Sequence, residues 1–349
     1  MKKHFKRPLS LLLAILLCIG MLPVSASAAD LTGSMSMIDI KGRDHALSSS
    51  LPAPFGGYAS EKYTMLRITD SSTGATKTAY CLELGISTYY QEQYQPSADY
   101  PQFSQEQKEL INAVLTLGYN TDTGVKYGGS PEDEYIATQI LVWLIAHKQL
   151  GTQYENQIVS EFTVNSPGAK AVFTKLRKAV MDYRTIPSFA CEDSKYASSH
   201  TYELKYNAQT GKYETTLTDS NGVLSEFSFS QPGVSFARTG NQLKISSEKT
   251  SFSTVSGEKK LPSSIAGVVK GASRYWLNEH YQNVVTFEVG GEPLPVKAYF
   301  GLEVKAGHLK IVKTSEDGKV SGLPFHVSGS GVEKDVSTGP DGTVQTNNL

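Results

Sequence analysis

The groups best able to do chemistry in this chain are few: Cys81, Gln139 and Cys191, with a further cysteine, Cys18, close to the N-terminus. A thiol reacts as its thiolate and otherwise packs as a small hydrophobe. Two cysteines in an oxidising location pair by default, so a disulfide between Cys81 and Cys191 is one reading. A cysteine nucleophile is another, but it needs a base within reach, and none of the seven His has a position that clearly pairs with Cys81. His147 falls late in an apolar helix and reads as a charge partner for the C-terminal end of that helix. The sequence has no phosphate-cradling glycine loop, no Gly-x-Ser-x-Gly elbow and no His spacing suited to zinc, so it implies neither metal nor cofactor.

Gln139 stands out by its surroundings. The run Tyr135-Ile136-Ala137-Thr138-Gln139-Ile140-Leu141-Val142-Trp143-Leu144 is apolar nearly all round, which predicts a buried helix. Thr138 and Gln139 are its polar exceptions, and Gln139 shares a face with Ile136 and Trp143. A buried carboxamide without partners costs about 1–3 kcal/mol. Taken alone, the spacing therefore describes a core glutamine bonded to backbone.

The elements that must position these groups can be read in order. Tyr63-Thr64-Met65-Leu66-Arg67-Ile68 and Lys77-Thr78-Ala79-Tyr80-Cys81-Leu82 flank a turn at Asp70–Gly74, which predicts a hairpin with Cys81 near the end of its second strand. Three helices follow. Ser104 with Gln107 three residues on starts the first, which Gly118 stops; Ser130-Pro131 starts a second, running to Leu150 before Gly151; Ser166-Pro167 starts a third. After Pro187 short strands and turns recur for more than a hundred residues, which predicts a β-sandwich closed by Val284–Glu288 and Val296–Phe300. A fresh unit begins near Gly307 and offers too few strands to bury two faces.

The chain opens with Lys2, Lys3, Lys6 and Arg7, an apolar run from Leu9 to Leu22, and Ala26-Ser27-Ala28, the pattern of a secretory signal peptide over residues 1–28. The apolar run is shorter than the roughly 20 residues of a membrane-spanning helix. Leu17 before Cys18 is too large for a lipoprotein site. The mature chain then holds two cysteines, too few for a disulfide scaffold. With 33 Lys and Arg against 34 Asp and Glu, a formal net charge of -1 and no long block of either sign, no nucleic-acid or anionic-membrane partner is implied.

Together, Tyr80-Cys81-Leu82-Glu83 and Thr138-Gln139-Ile140-Leu141-Val142-Trp143 resemble the paired Cys and Thr-Gln motifs of the thioester domains (TQXA domains) of Gram-positive surface adhesins. The resemblance covers roughly residues 31–187. It implies that the Cys81 thiol displaces ammonia from the Gln139 side chain to form an internal thioester. One departure is Leu141, where the family label has Ala. A thioester is an activated acyl donor, so the fold must hold thiol and carboxamide in near contact, shield the bond from water and admit a chosen amine. Tyr80, Tyr89, Thr138 and Trp143 are candidates for shielding or assisting, and Glu83 is a candidate base, with an exposed strand-edge carboxylate as its plainer reading. Cys81 and Gln139 are 139 minus 81, or 58, positions apart on different element types, so only tertiary structure can join them.

A second resemblance lies in Lys310-Ile311-Val312-Lys313-Thr314-Ser315-Glu316-Asp317-Gly318 and Leu323-Pro324-Phe325-His326-Val327, which look like the opening of SpaA or Cna B-type stalk domains. There Lys313 matches an isopeptide-forming lysine whose partners would lie beyond Leu349. The expected architecture is α+β and multidomain: a signal peptide (1–28), a thioester domain of strands plus a three-helix subdomain (29–192), an all-β sandwich (193–305) and the start of a prealbumin-like β-sandwich (307–349). The resemblance implies a secreted cell-surface adhesin, attached to peptidoglycan through a C-terminal region absent from this chain. Such a protein captures a lysine amine of a host surface protein in one covalent event without turnover. A noncovalent adhesin with the Cys81–Cys191 disulfide and a secreted cysteine hydrolase are the alternatives.

Overall fold

The structure, a computed structural model, describes residues 32–45, 47–56, 61–89, 92–291, 295–305, 308–329 and 332–347. The signal peptide expected over 1–28, with Cys18, lies outside the described residues. No helix among them is long and apolar enough to cross a membrane.

Four strands open the described part of the chain: β1 (Gly33–His45), β2 (Glu61–Asp70), β3 (Thr76–Cys81) and β4 (Gln93–Ser97). The β2–β3 hairpin is as expected, with Cys81 the last residue of β3. Its turn is set by the Asp70 carboxylate, which accepts from the Ser72 N–H at 2.8 Å, and by Gly74 at φ 70°. Two far later strands, β12 (Gly271–Leu277) and β13 (Val284–Val289), complete the sheet, and the order β1-β2-β3-β13-β12-β4 closes into a barrel. This corrects the expectation that Val284–Glu288 closes the sandwich. The strand itself was legible, but its alternation does not say which edge it joins. The boundary drawn at residue 192 is therefore crossed by the barrel, whose last two strands come from within 193–305.

Among the described residues four α-helices, not three, pack outside the barrel: α1 (Gln105–Leu117), α2 (Pro131–Ala146), α3 (Glu155–Phe162) and α4 (Pro167–Arg184). Capping boxes start α1 at Ser104 with Gln107 and α2 at Ser130 with Asp133. Ser166 makes no side-chain cap, so Pro167 alone marks the start of α4. Helix α2 ends at Ala146, short of the expected Leu150. The chain turns there through Lys148 at φ 56°, with Gln149 and Leu150 both donating to the Leu144 carbonyl. Gly118 ends α1 where the chain passes α2 so closely that a Cβ would sit 2.7 Å from Thr138 Cγ2.

Two four-stranded sheets follow. One has the order β6 (Lys205–Asn207), β7 (Lys212–Thr218), β10 (Gln242–Ser247), β9 (Val234–Thr239); the other β5 (Thr201–Glu203), β14 (Lys297–Glu303), β11 (Val255–Lys259), β8 (Phe227–Ser230). Phe229 lies between them, its ring 6.2 Å from Phe236 and 5.5 Å from Phe300. The last described residues pair β15 (His308–Val312) with β18 (Thr343–Asn347) and β16 (Pro324–Gly329) with β17 (Val332–Ser337). Lys313 follows β15, and its ammonium donates to the Thr314 carbonyl at 2.8 Å.

Candidate functional site

The site is built where the wall of the barrel opens. Pairing between β2 and β3 runs from Thr69↔Thr76 to Leu66↔Ala79 and stops before Cys81. Beyond that point the edge of β3 would present bare backbone groups, which a buried sheet cannot leave unpaired. Side chains of α2 take the missing strand's place. The Tyr135 hydroxyl accepts from the Leu66 N–H at 3.1 Å and donates to the Ala79 carbonyl at 3.1 Å. One turn on, the Gln139 carboxamide accepts from the Cys81 N–H at 2.8 Å through Oε1 and donates to the Cys81 carbonyl at 2.9 Å through Nε2. Two turns further, the Leu84 N–H donates to His147 Nε2 at 3.1 Å.

This stripe works because the two periods match. Four residues of helix advance about 6 Å and two residues of strand about 6.6 Å, so Tyr135 and Gln139 meet Ala79 and Cys81 without strain. Gln139 is 1% exposed, and both ends of its amide are satisfied, so the plain reading of a core glutamine bonded to backbone holds. What the sequence could not say is that the backbone is that of Cys81. The pairing brings the two motif residues into direct contact.

The other candidates fall into place around this pair. Tyr80 turns away from the barrel interior; it is fully buried, stacks on Tyr135 at 5.0 Å and donates to the Tyr119 carbonyl. Thr138 donates to the Glu134 carbonyl at 2.7 Å and accepts from the Tyr119 N–H at 3.1 Å, which locks the turn that receives Tyr80. Trp143 is stacked on Phe162 at 5.2 Å. Tyr89 is exposed and its ring lies 4.6 Å from that of Tyr281.

Glu83 is not the exposed strand-edge carboxylate of its plainer reading. It lies half-buried past the end of β3, where its carboxylate accepts from the Tyr100 hydroxyl at 2.7 Å and from the Asn283 N–H and side-chain amide at 2.9 Å each. Gln282 donates to the Glu83 carbonyl. The loop between β12 and β13 thus holds the segment after Cys81 in place. Tyr135, Tyr100, Gln282 and Asn283 were missed by sequence reasoning, although Tyr135 was findable as the residue four before Gln139 on the same stripe.

Electrostatics follow from the burial. Cys81 is half-buried as a residue, but its thiol is deep enough that burial, reinforced by the Glu83 carboxylate, pushes it well above the ordinary thiol range. Cys191 is far from this arrangement in bonding terms. Its thiol donates to the Asp193 and Tyr299 carbonyls at 3.3 Å each, and both cysteines are free. The structure therefore gives no support to the Cys81–Cys191 disulfide. The reading of His147 as a helix-end cation is also corrected: it accepts a hydrogen bond through Nε2, which requires the neutral ring.

Burial holds His147 below the ordinary imidazole value against the opposing pull of Glu83, and pushes His45 down from 6.5 to about 4 against that of Asp44. In both cases the unfolded chain binds the proton more readily. Stability is therefore complete above pH 6.5 and lost as pH falls toward about 4. The loss attributable to His45 is about 3 kcal/mol. Urea midpoints across this window should fall with pH, and His45→Phe should flatten the profile; an equally steep profile in that variant would refute the assignment.

Comparison with known proteins bears on the same segment. Residues 78–181 match the family model of the thioester domain. No curated protein matches the chain. Among solved structures, the chain is similar to the thioester domain of the Staphylococcus aureus TIE protein, at 14% identity and a TM-score of 0.43, over 78% of this chain and 100% of that one. It is also similar to the Bacillus anthracis TIE protein, at 16% identity and a TM-score of 0.35, over 91% of this chain and 58% of that one. The family match spans both Cys81 and Gln139, and it supports a thioester domain over residues 78–181 of this chain.

Proposed function

We propose that this chain is a secreted cell-surface adhesin that forms an internal thioester between Cys81 and Gln139 and uses it to capture a host-surface amine, that of a lysine side chain. The observation that carries the reading is the two-point bonding of the Gln139 carboxamide to the Cys81 backbone at 2.8 and 2.9 Å. That contact holds the Gln139 carboxamide against the backbone of the residue that carries the thiol. The Cys81 N–H, already on Oε1, is placed to hold the oxygen as it gains charge when sulfur adds to the amide carbon.

Bond formation then balances simply. The new S–C bond replaces the C–N bond, and the thiol proton leaves with the amide nitrogen as ammonia. Capture exchanges nucleophile and leaving group: an amine adds to the same carbon, the C–S bond breaks, and the proton lost by nitrogen returns to sulfur. Because the product is a stable amide on Gln139, the event happens once per molecule. A cysteine hydrolase would use a His beside Cys81; among the described residues, the titratable group that acts on the Cys81 thiol is the Glu83 carboxylate.

Intact mass tests the reading. The freshly prepared mature protein should be lighter than its sequence by one ammonia, and methylamine should add to it with loss of that deficit. A mass deficit of two hydrogens would favour the disulfide, and an unshifted mass that takes up no methylamine would refute the thioester.

A further inference from the structure

The barrel register fixes where the Cys81 side chain points. Cys81 stands opposite Val284 on β13, and Val284 opposite Trp276 on β12. Directly opposed residues carry their side chains on the same face. Val284 and Trp276 are buried in the cluster that fills the barrel, together with Met35, Leu66, Ile68, Ala79 and Tyr94, and Cys81 packs against that cluster. Cys81 also packs against the larger cluster that holds Ile136 and Ile140 of α2, so its side chain stands between the barrel interior and the wall opening where the Gln139 carboxamide lies.

Tyr94 shares that interior from β4. It is 0% exposed, and its hydroxyl has no hydrogen-bond partner among the described residues. A sealed hydroxyl without a partner costs about 1–3 kcal/mol, a cost that Phe in its place would avoid. Burial above all, and then the charges that Cys81, Glu92, Tyr281 and Glu83 would carry, keep this phenol protonated. Tyr135 is also within the influence of Cys81, but its hydroxyl is spent on Leu66 and Ala79. Sulfur, meanwhile, needs a proton when it leaves, because a thiolate in this interior is strongly disfavoured.

We propose that Tyr94 is the proton donor to the Cys81 sulfur when the thioester is opened by an amine. As the N–C bond forms and the C–S bond breaks, the Tyr94 O–H gives its proton to sulfur. The attacking nitrogen, which must shed one proton to become an amide, restores the phenol. The products are an amide on Gln139, a Cys81 thiol and an unchanged tyrosine. This assignment rests on the thioester reading above and concerns its breaking, not its making.

The test compares the mature protein with its Tyr94→Phe variant, using methylamine as the probe. Both should carry the ammonia deficit, and the variant should melt no lower than the parent. Methylamine addition to the variant should be slower by about a hundredfold. Fluorotyrosine at position 94 should restore the rate, which a cavity-filling role would not require. An unchanged methylamine rate in Tyr94→Phe overturns the proposal, as does a slowed rate accompanied by a lower melting point and no rescue. A deficit lost only in the variant places the hydroxyl in bond formation and overturns it too. Absence of the deficit from the parent removes the thioester reading itself, and this inference with it.

Discussion

Gln139→Glu is expected to give a folded protein that carries no ammonia deficit and takes up no methylamine at any pH. The substitution keeps the shape of the side chain and one acceptor for the Cys81 N–H, but a carboxylate is a far poorer acyl donor than the amide and has no ammonia to release. It also places a charge against the Cys81 carbonyl, which Nε2 now serves as donor at 2.9 Å. At 1% exposure the new carboxyl would be forced toward its protonated form, whose O–H can donate to that carbonyl in place of the amide. Its folded pKa then lies above the unfolded value of about 4.3. The sign of the linkage follows: stability approaches that of the parent at acid pH and is lost as pH rises through the folded pKa, by about 2–3 kcal/mol. Urea midpoints against pH, together with intact mass, check both halves. A methylamine adduct on the variant, or a stability profile that rises with pH, would exclude Gln139 as the acyl donor in the arrangement described.

Tyr135→Phe should destabilise the protein strongly for the loss of a single atom. It removes the hydroxyl that bridges Leu66 and Ala79 and leaves a buried N–H and a buried carbonyl without partners. Each costs about 1–3 kcal/mol, so the loss is about 2–6 kcal/mol. If instead β2 and β3 close to bond directly, the opening that admits Gln139 narrows one turn away. On either outcome the fraction of purified protein with the ammonia deficit drops. Thermal unfolding and intact mass measured on one preparation decide it: an unchanged melting point with full deficit would mean that the hydroxyl does not hold the opening.

Much of this site could be read from residue order, and the limits have physical causes. The starts of α1 and α2 were legible because capping is local: Ser104, Ser130 and Pro131 act within one turn of themselves. Helix α3 was missed because Tyr154 precedes it with no side-chain cap, so nothing in the sequence marks its start. The hairpin and its terminal Cys81 were legible, since turn chemistry and alternation are local as well. Which strand lies beside β3 was not, because Val284 and Cys81 meet only through long-range pairing. The polar stripe of α2 was visible in part, yet its destination is the backbone of β3, and backbone groups carry no sequence signal. Leu141, the departure from the family label, is two residues past Gln139 and so about 200° around the helix. It is fully buried in the core on the side away from Cys81, which accounts for its size being tolerated.

The late arrival of β12 and β13 has a consequence in time. Cys81 and its neighbour Val284 are separated by 284 minus 81, or 203, positions, and the whole of both four-stranded sheets except β14 is laid down between them. A chain made from its N-terminus outward has its hairpin and helices in hand long before the strand that covers the other side of Cys81 exists. Contacts of such sequence separation form slowly. The enclosure of Cys81 is therefore completed only once β13, ending at Val289, is available to pair with β3. The order of manufacture thus acts as a checkpoint: a chain broken off between Gln139 and β13 carries the Cys81 and Gln139 side chains and never assembles the room that encloses them.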